Sequence, residues 1–252
     1  YYYDENAQLI QQHIQNYIDY PNSWDIVNNE YDFNGEVVKT VRTHSAFGKS
    51  IEIKSGYNYD HMGKLIDISK QINNETEIHM VFNEYNELGQ LVKKNLHYDW
   101  HWPSDYMQHI DYRYNTRGWL TSINNSYLYN DGGITNEDDN DVFGEELFYD
   151  FSNFNNNTFS VIPQYNGNVS FVKWRTKTLS PYLSYKSRPV HCYAFRYDDF
   201  NRLTAAYYAR NSDTDPLDFD QGINDFTEKE SYDLAGGIQT LTRHTFGGIT
   251  DQ

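Results

Sequence analysis

Carboxylates dominate the residues that could do chemistry, with 36 Asp and Glu against 20 Lys and Arg. The densest run is Glu137-Asp138-Asp139-Asn140-Asp141. Hard cations take several oxygen ligands, so calcium is the metal such a run suggests. A loop of the EF-hand kind would start at Asp139, with Asp141 third and Gly144 sixth. Phe143 would then fall at a ligand position, and Asp150 rather than Glu would be twelfth. The run reads better as a solvated acidic loop. Glu145 and Glu146 follow it. A glycosidase needs two carboxylates about 5–9.5 Å apart on opposite sides of one bond. Neighbours on a strand point to opposite faces, so this pair cannot serve one substrate.

The segment His97-Tyr98-Asp99-Trp100-His101-Trp102-Pro103 is the most unusual stretch. Two His four apart chelate metal on a helix, but Pro103 argues against one here. The first reading is structural, with the rings packed on a sheet. The sharper alternative is a glycan platform in which Trp100 and Trp102 stack on sugar faces. Gly48-Lys49-Ser50 resembles half of a phosphate-binding loop, but Thr43 stands where the first Gly belongs, and Ile51-Glu52-Ile53 alternates like a strand. Cys192 is the only cysteine, between His191 and Tyr193 in an alternating segment, and reads as a buried structural thiol. It excludes a disulfide scaffold and a Cys-based zinc site. These residues assign no catalytic, cofactor or metal site, and the expectation is a protein that is not an enzyme and needs no cofactor.

Positioning is the task of an aromatic scaffold. The chain has 252 residues, 24 of them Tyr and 14 Phe. Tyrosine is therefore expected to build the core, and each hydroxyl must then find a partner. Aromatics suit pleated surfaces, so the composition points to β structure. The formal net charge of −16 argues against a face that neutralises phosphates, and hence against nucleic acid. No window holds 18 apolar residues, so membrane insertion through a helix is not expected. The start, Tyr1-Tyr2-Tyr3-Asp4, reads as an internal cut of a longer protein whose export signal lies elsewhere.

One pattern recurs: Tyr, Asp or Asn, two free positions, Gly, one free position, then Leu, Ile or Val. It runs from Tyr31 with Gly35, Tyr59 with Gly63, Tyr85 with Gly89, Tyr114 with Gly118, and Tyr232 with Gly236. Two copies are degenerate, with Asn201 in the glycine slot after Tyr197 and Ala7 in that slot after Tyr3. A shortened copy begins at Tyr165. From Tyr3 the first four intervals are 28, 28, 26 and 29 residues; an 83-residue gap then separates Tyr114 from Tyr197. That gap marks an insertion at about 125–192. Asp or Asn at the first turn position with Gly at the fourth is a type I turn closing on a bulge. Asn tolerates the left-handed position, whereas Ala7 does not, so the first copy should be distorted.

Around the turns the residues alternate. Tyr57 and Tyr59 flank Asn58, Tyr112 and Tyr114 flank Arg113, and Phe195 and Tyr197 flank Arg196. Leu65, Leu91, Leu120 and Leu203 follow the turns. Period two puts rings on one face. Burying one large side chain gives roughly 1.5–3 kcal/mol, while ordering one residue costs about 1–2 kcal/mol in backbone entropy. One hairpin cannot persist alone, so the hairpins must stack edge to edge.

At this level the chain resembles the YD-repeat (RHS) family in its Bacteroidetes-type form. The resemblance rests on Asn83–Lys94, Asp111–Asn124, Tyr165–Thr176 and Phe195–Ala206. It covers nearly the whole chain and is weakest across about 125–160. It implies a single all-β repeat domain over 1–252: stacked antiparallel hairpins forming a curved open sheet or partial spiral barrel. Relatives include the cocoon of insecticidal toxin complexes and the barrel of teneurins. The implied function is a non-enzymatic segment of a secreted or cell-surface bacterial shell that encloses or displays a C-terminal polypeptide such as a toxin. Its partners would be neighbouring repeats of the same longer chain and that cargo. The alternative is a carbohydrate-binding adhesion module for cell-surface glycans. In some family members a downstream core segment built on DPxG-type motifs cleaves the cargo free through paired aspartates. Here Asp215-Pro216 runs into Leu217 and Asp218, without the glycine, so self-cleavage is not implied.

Overall fold

The protein is described here by a computed structural model over residues 1–98, 106–128, 141–151, 160–177, 189–211, 219–223, 225–247 and 250–251. The all-β expectation holds. No helix occurs among the described residues, and every strand pairing is antiparallel.

The chain divides into two compact units, Tyr1–His109 and Ile110–Gln252. In the first unit, β1 (Tyr2–Tyr3), β2 (Leu9–Gln15), β3 (Trp24–Tyr31) and β4 (Val37–Ala46) are followed by β5 (Lys49–Tyr59), β6 (Leu65–Ile72), β7 (Ile78–Tyr85) and β8 (Leu91–Tyr98). Each pairs with the next in sequence. The unit boundary falls within β9 (Tyr106–Tyr114). Then come β10 (Leu120–Ile123), β11 (Phe143–Phe148), β12 (Phe171–Thr176) and β13 (His191–Tyr197). The last four are β14 (Leu203–Arg210), β15 (Glu228–Tyr232), β16 (Ile238–His244) and β17 (Thr250–Asp251). They too pair in sequence order. Among the described residues no pairing joins β1 to β8 or β9 to β17, so each ladder is open. Residues 125–192, read from sequence as an insertion, contain β11 and β12, which pair in line between β10 and β13.

The turns have one chemistry. Gly35 N–H donates to the Asp32 carbonyl at 3.2 Å, and Asp32 N–H to the Glu36 carbonyl at 2.9 Å. Asp32 Oδ1 also accepts from the N–H groups of Asn34 and Glu36, both at 2.9 Å. Asp60, Asn86, Asn115, Asp198 and Asp233 repeat this pair of side-chain bonds. Gly sits at positive φ in the full copies, and Asn201 takes the same geometry at 63°. A register shift at the turn completes the bulge, as between Glu30 and Tyr31.

The first copy departs from expectation. Ala7 adopts φ 62° and the turn still closes, with Ala7 N–H to the Asp4 carbonyl at 3.2 Å. Asp4 Oδ1 accepts from Asn6 and Gln8 N–H as in the other copies. These bonds outweigh the left-handed penalty of about 1–2 kcal/mol. What is short is the strand beside it, since β1 spans 2 residues.

The core also differs from expectation. In the second unit it is built by Val161, Phe171, Val190, Cys192, Ala194, Ala209 and Phe219. Among the described tyrosines, only Tyr149 and Tyr208 are buried, and both belong to that unit. In the first unit the buried described residues are polar, among them Ser23, Asp25, Ser55, Asp67, Asn83 and Asn95. Tyr31, Tyr59, Tyr85, Tyr114, Tyr197 and Tyr232 stay half-buried, and Tyr3 and Tyr165 are exposed. A ring lying along its own ladder is covered only by neighbours on the same face.

Candidate functional site

Tyr31, Tyr59, Tyr85, Tyr114, Tyr197 and Tyr232 each end a strand immediately before a motif turn. Their partners Gly35, Gly63, Gly89, Gly118, Asn201 and Gly236 hold the left-handed turn position. In five of the six the phenol reaches the preceding hairpin. Tyr31 Oη donates to the Leu9 carbonyl at 3.0 Å, Tyr59 to Val37 at 3.0 Å and Tyr85 to Leu65 at 2.9 Å. Tyr197 donates to Val169 at 2.9 Å and Tyr232 to Leu203 at 2.6 Å. Every acceptor is the apolar residue that closes the previous copy of the motif. The hydroxyl predicted to need a partner is thus the joint between repeats. Burial pushes the phenols of Tyr59 and Tyr197 above the usual tyrosine range, which keeps them as donors.

Sequence reasoning missed one joint. Tyr149 Oη donates to the Leu120 carbonyl at 2.8 Å, so Tyr149-Asp150 serves as a motif tyrosine. The signal available was Tyr149-Asp150 with Asn153 in the glycine slot, as Asn201 is after Tyr197, but Asn155 stands where the apolar residue would be. Likewise Val169, the end of the shortened copy, is the acceptor for Tyr197.

The other candidates resolve as follows. Trp100 and Trp102 lie outside the described residues, as do His101, residues 137–140 and Asp215-Pro216. Residues 143–148 form β11, where a calcium loop of the kind considered would need irregular backbone. Glu146 accepts from Ser126 Oγ at 2.5 Å and pairs with Lys173 at 3.1 Å. Burial raises the Glu145 carboxyl above its ordinary range. Phe47 and Gly48 both have positive φ and make a two-residue hairpin turn between Ala46 and Lys49, so no helix opens there. Cys192 is fully buried, and burial pushes its thiol far up.

The first unit also carries a cleft of about 560 Å³, lined by Asn58, Ile66, Asp67, His79, Phe82, Tyr98 and Tyr106. Ladder pairing sets Asp67 opposite both Asn58 and Phe82. His79 arrives through a bulge. Ile68 pairs with Val81 and Ser69 with His79, leaving Met80 as the extra residue. The bulge reverses the facing of the strand beyond it, so His79 shares a side with Phe82. Its Nδ1 lies 2.8 and 3.0 Å from the two Asp67 oxygens. Asn58 Nδ2 donates to Asp67 Oδ2 at 3.2 Å. The Asp67 side chain is 9% exposed and that of His79 51%. Rings form the walls: Tyr98 meets His79 edge-on at 6.4 Å and Tyr106 edge-on at 5.4 Å, and Phe82 lies 6.5 Å from Tyr106. Among the described residues the lining holds one carboxylate and no Ser, Thr or Cys. Among the described residues no group of three or more metal-ligating side chains converges. No helix among them is long and apolar enough to cross a membrane.

No family model matches the chain, and no curated protein matches its sequence. Among solved structures it is similar to TcdB2-TccC3, with 13% identity and a TM-score of 0.42, over 98% of this chain and 15% of that one. The same proteins with Cdc42 give 12% identity and a TM-score of 0.37, over 91% of this chain and 13% of that one. A porin-like protein from Bacteroides uniformis ATCC 8492 gives 11% identity and a TM-score of 0.32, over 96% of this chain and 91% of that one. The chain thus spans 15% of the length of the TcdB2-TccC3 chain it matches.

Proposed function

We propose that this chain is wall material: a non-enzymatic segment of a longer YD-repeat shell, secreted or displayed at a bacterial surface, that encloses or displays a further polypeptide such as a toxin. The observation that supports this reading is the repeated joint from motif tyrosine to preceding hairpin carbonyl, from Tyr31–Leu9 to Tyr232–Leu203. Each joint uses one side chain and one backbone oxygen, so it can be copied for as many hairpins as a wall needs. Its chemistry is spent on geometry.

The test uses the longer polypeptide encoded by the same reading frame. Limited proteolysis should leave the enclosed segment intact while the wall is native. Phenylalanine at Tyr31, Tyr59 and Tyr85 together should open the wall and expose that segment. Cleavage of the segment at the rate of its free form, with the wall intact, would remove this reading.

A further inference from the structure

We infer that the cleft between Asp67 and Tyr106 in the first unit is a binding site for a neutral saccharide. The inference does not depend on the wall role. Its ground is the pairing of two kinds of surface in one concavity. Phe82, Tyr98 and Tyr106 present ring surface. The C–H hydrogens of a sugar carry partial positive charge and meet the negative face of an aromatic ring. Asn58, Asp67 and His79 present a linked polar edge on the same side. Sugar hydroxyls both donate and accept, so one ligand can satisfy a carboxylate, an amide and an imidazole together.

Other ligand classes fit this edge less well. A wholly apolar guest would strip water from Asp67, Asn58 and His79 without replacing its hydrogen bonds. An anion would meet the Asp67 carboxylate in a chain of net charge −16. The size suits a small ligand, since such sites span about 300–1,000 Å³. Asp67 is already gripped by His79 and Asn58, so it offers oriented lone pairs on a rigid ladder. A preformed acceptor costs less to use than a mobile one. The residues that carry the inference are described ones, and Trp100 and Trp102 lie outside them; Tyr98 and Tyr106 flank that stretch in sequence.

The test titrates the purified protein calorimetrically with three hexasaccharides: β-1,4-linked glucose, β-1,4-linked N-acetylglucosamine and α-1,6-linked mannose. Tetramethylammonium is the cationic comparator. At least one hexasaccharide should bind, equally well at low and high salt. Tyr98→Ala and Asp67→Asn should each weaken it by about tenfold or more. Tyr17→Ala, at an exposed ring outside the cleft lining, should leave it unchanged. Because Asp67 is buried, Phe82→Leu provides a second variant, and thermal melts of all four confirm native folding. Binding by none of the three sugars would overturn the inference. So would binding that survives Tyr98→Ala and Phe82→Leu, or binding of tetramethylammonium alone that fades at high salt.

Discussion

The hydroxyl of Tyr85 and the carbonyl oxygen of Leu65 lie 2.9 Å apart, across the step from one hairpin to the next. Asn83 Nδ2 donates to the same oxygen at 3.0 Å. Asn29 and Tyr31 share the Leu9 carbonyl in the same way. An Asn two residues before the motif tyrosine therefore doubles the joint.

Removing either donor at Leu65 leaves the other in place. Tyr85→Phe should cost about 0.5–1.5 kcal/mol in urea unfolding. Asn83→Ala should cost a similar amount. The double variant should cost more than the sum, by about 0.5 kcal/mol or more, because only then is the carbonyl stranded. Strict additivity would show that the two bonds do not share a role.

Ala7→Gly should stabilise the first hairpin by about 1 kcal/mol, since Ala7 holds φ 62°. The gain should appear as slower amide exchange of Ala7 and Gln8, whose N–H groups close the turn. Unchanged exchange would mean the left-handed position carries no strain.

Gly144→Ala should be severely destabilising. A Cβ there would stand 1.7 Å from the Asn125 carbonyl oxygen, a backbone atom that cannot swing away. A loss of about 3 kcal/mol or more is expected in thermal or urea melts. Gly48→Ala should cost only about 1 kcal/mol, because its Cβ meets nothing within 4 Å and the cost is conformational.

Acid should weaken the fold from below about pH 4, near the unfolded aspartate pKa of about 3.9. Burial pushes the Asp25 carboxyl up, but hydrogen bonds from Arg42, His44 and Asn16 outweigh it and hold the pKa low. The Lys64 N–H foremost lowers Asp60. At Asp198 desolvation is outweighed by Arg202 and the Phe200 N–H. A depressed folded pKa stabilises above the unfolded value and is lost as pH falls through the folded one. Urea midpoints should drop progressively on acidification, and Asp25→Asn should flatten that slope. A flat profile in the wild type would contradict these bonds.

Cys192 should resist thiol reagents in the native protein. The side chain is fully buried in the second unit's core and burial disfavours its thiolate. Labelling should follow unfolding, so its rate should rise with urea in step with loss of structure. Immediate labelling in native buffer would place it at the surface.

Much of this architecture was readable in the residues. Asp or Asn with Gly three positions later specified the five full turns, because the pairing supplies both the side-chain acceptor and the left-handed backbone; Asn201 and Ala7 take the same geometry in the degenerate copies. Alternation around Tyr59, Tyr114 and Tyr197 specified strands. The Tyr149 joint was hidden because Asn155 stands where its copy would close on an apolar residue. The polar interior of the first unit was hidden as well, since composition counts rings and not what covers them.

Sequence alone determined the hairpins, since turn and alternation act over a few residues and need no distant partner. Tertiary structure decided the cleft. Simple period two sets His79 and Phe82, three residues apart, on opposite faces; the extra residue Met80 brings them to one side, over Asp67 of the neighbouring strand. Register between strands follows from many weak cross-strand contacts acting together, and a one-residue slip inverts every side chain beyond it.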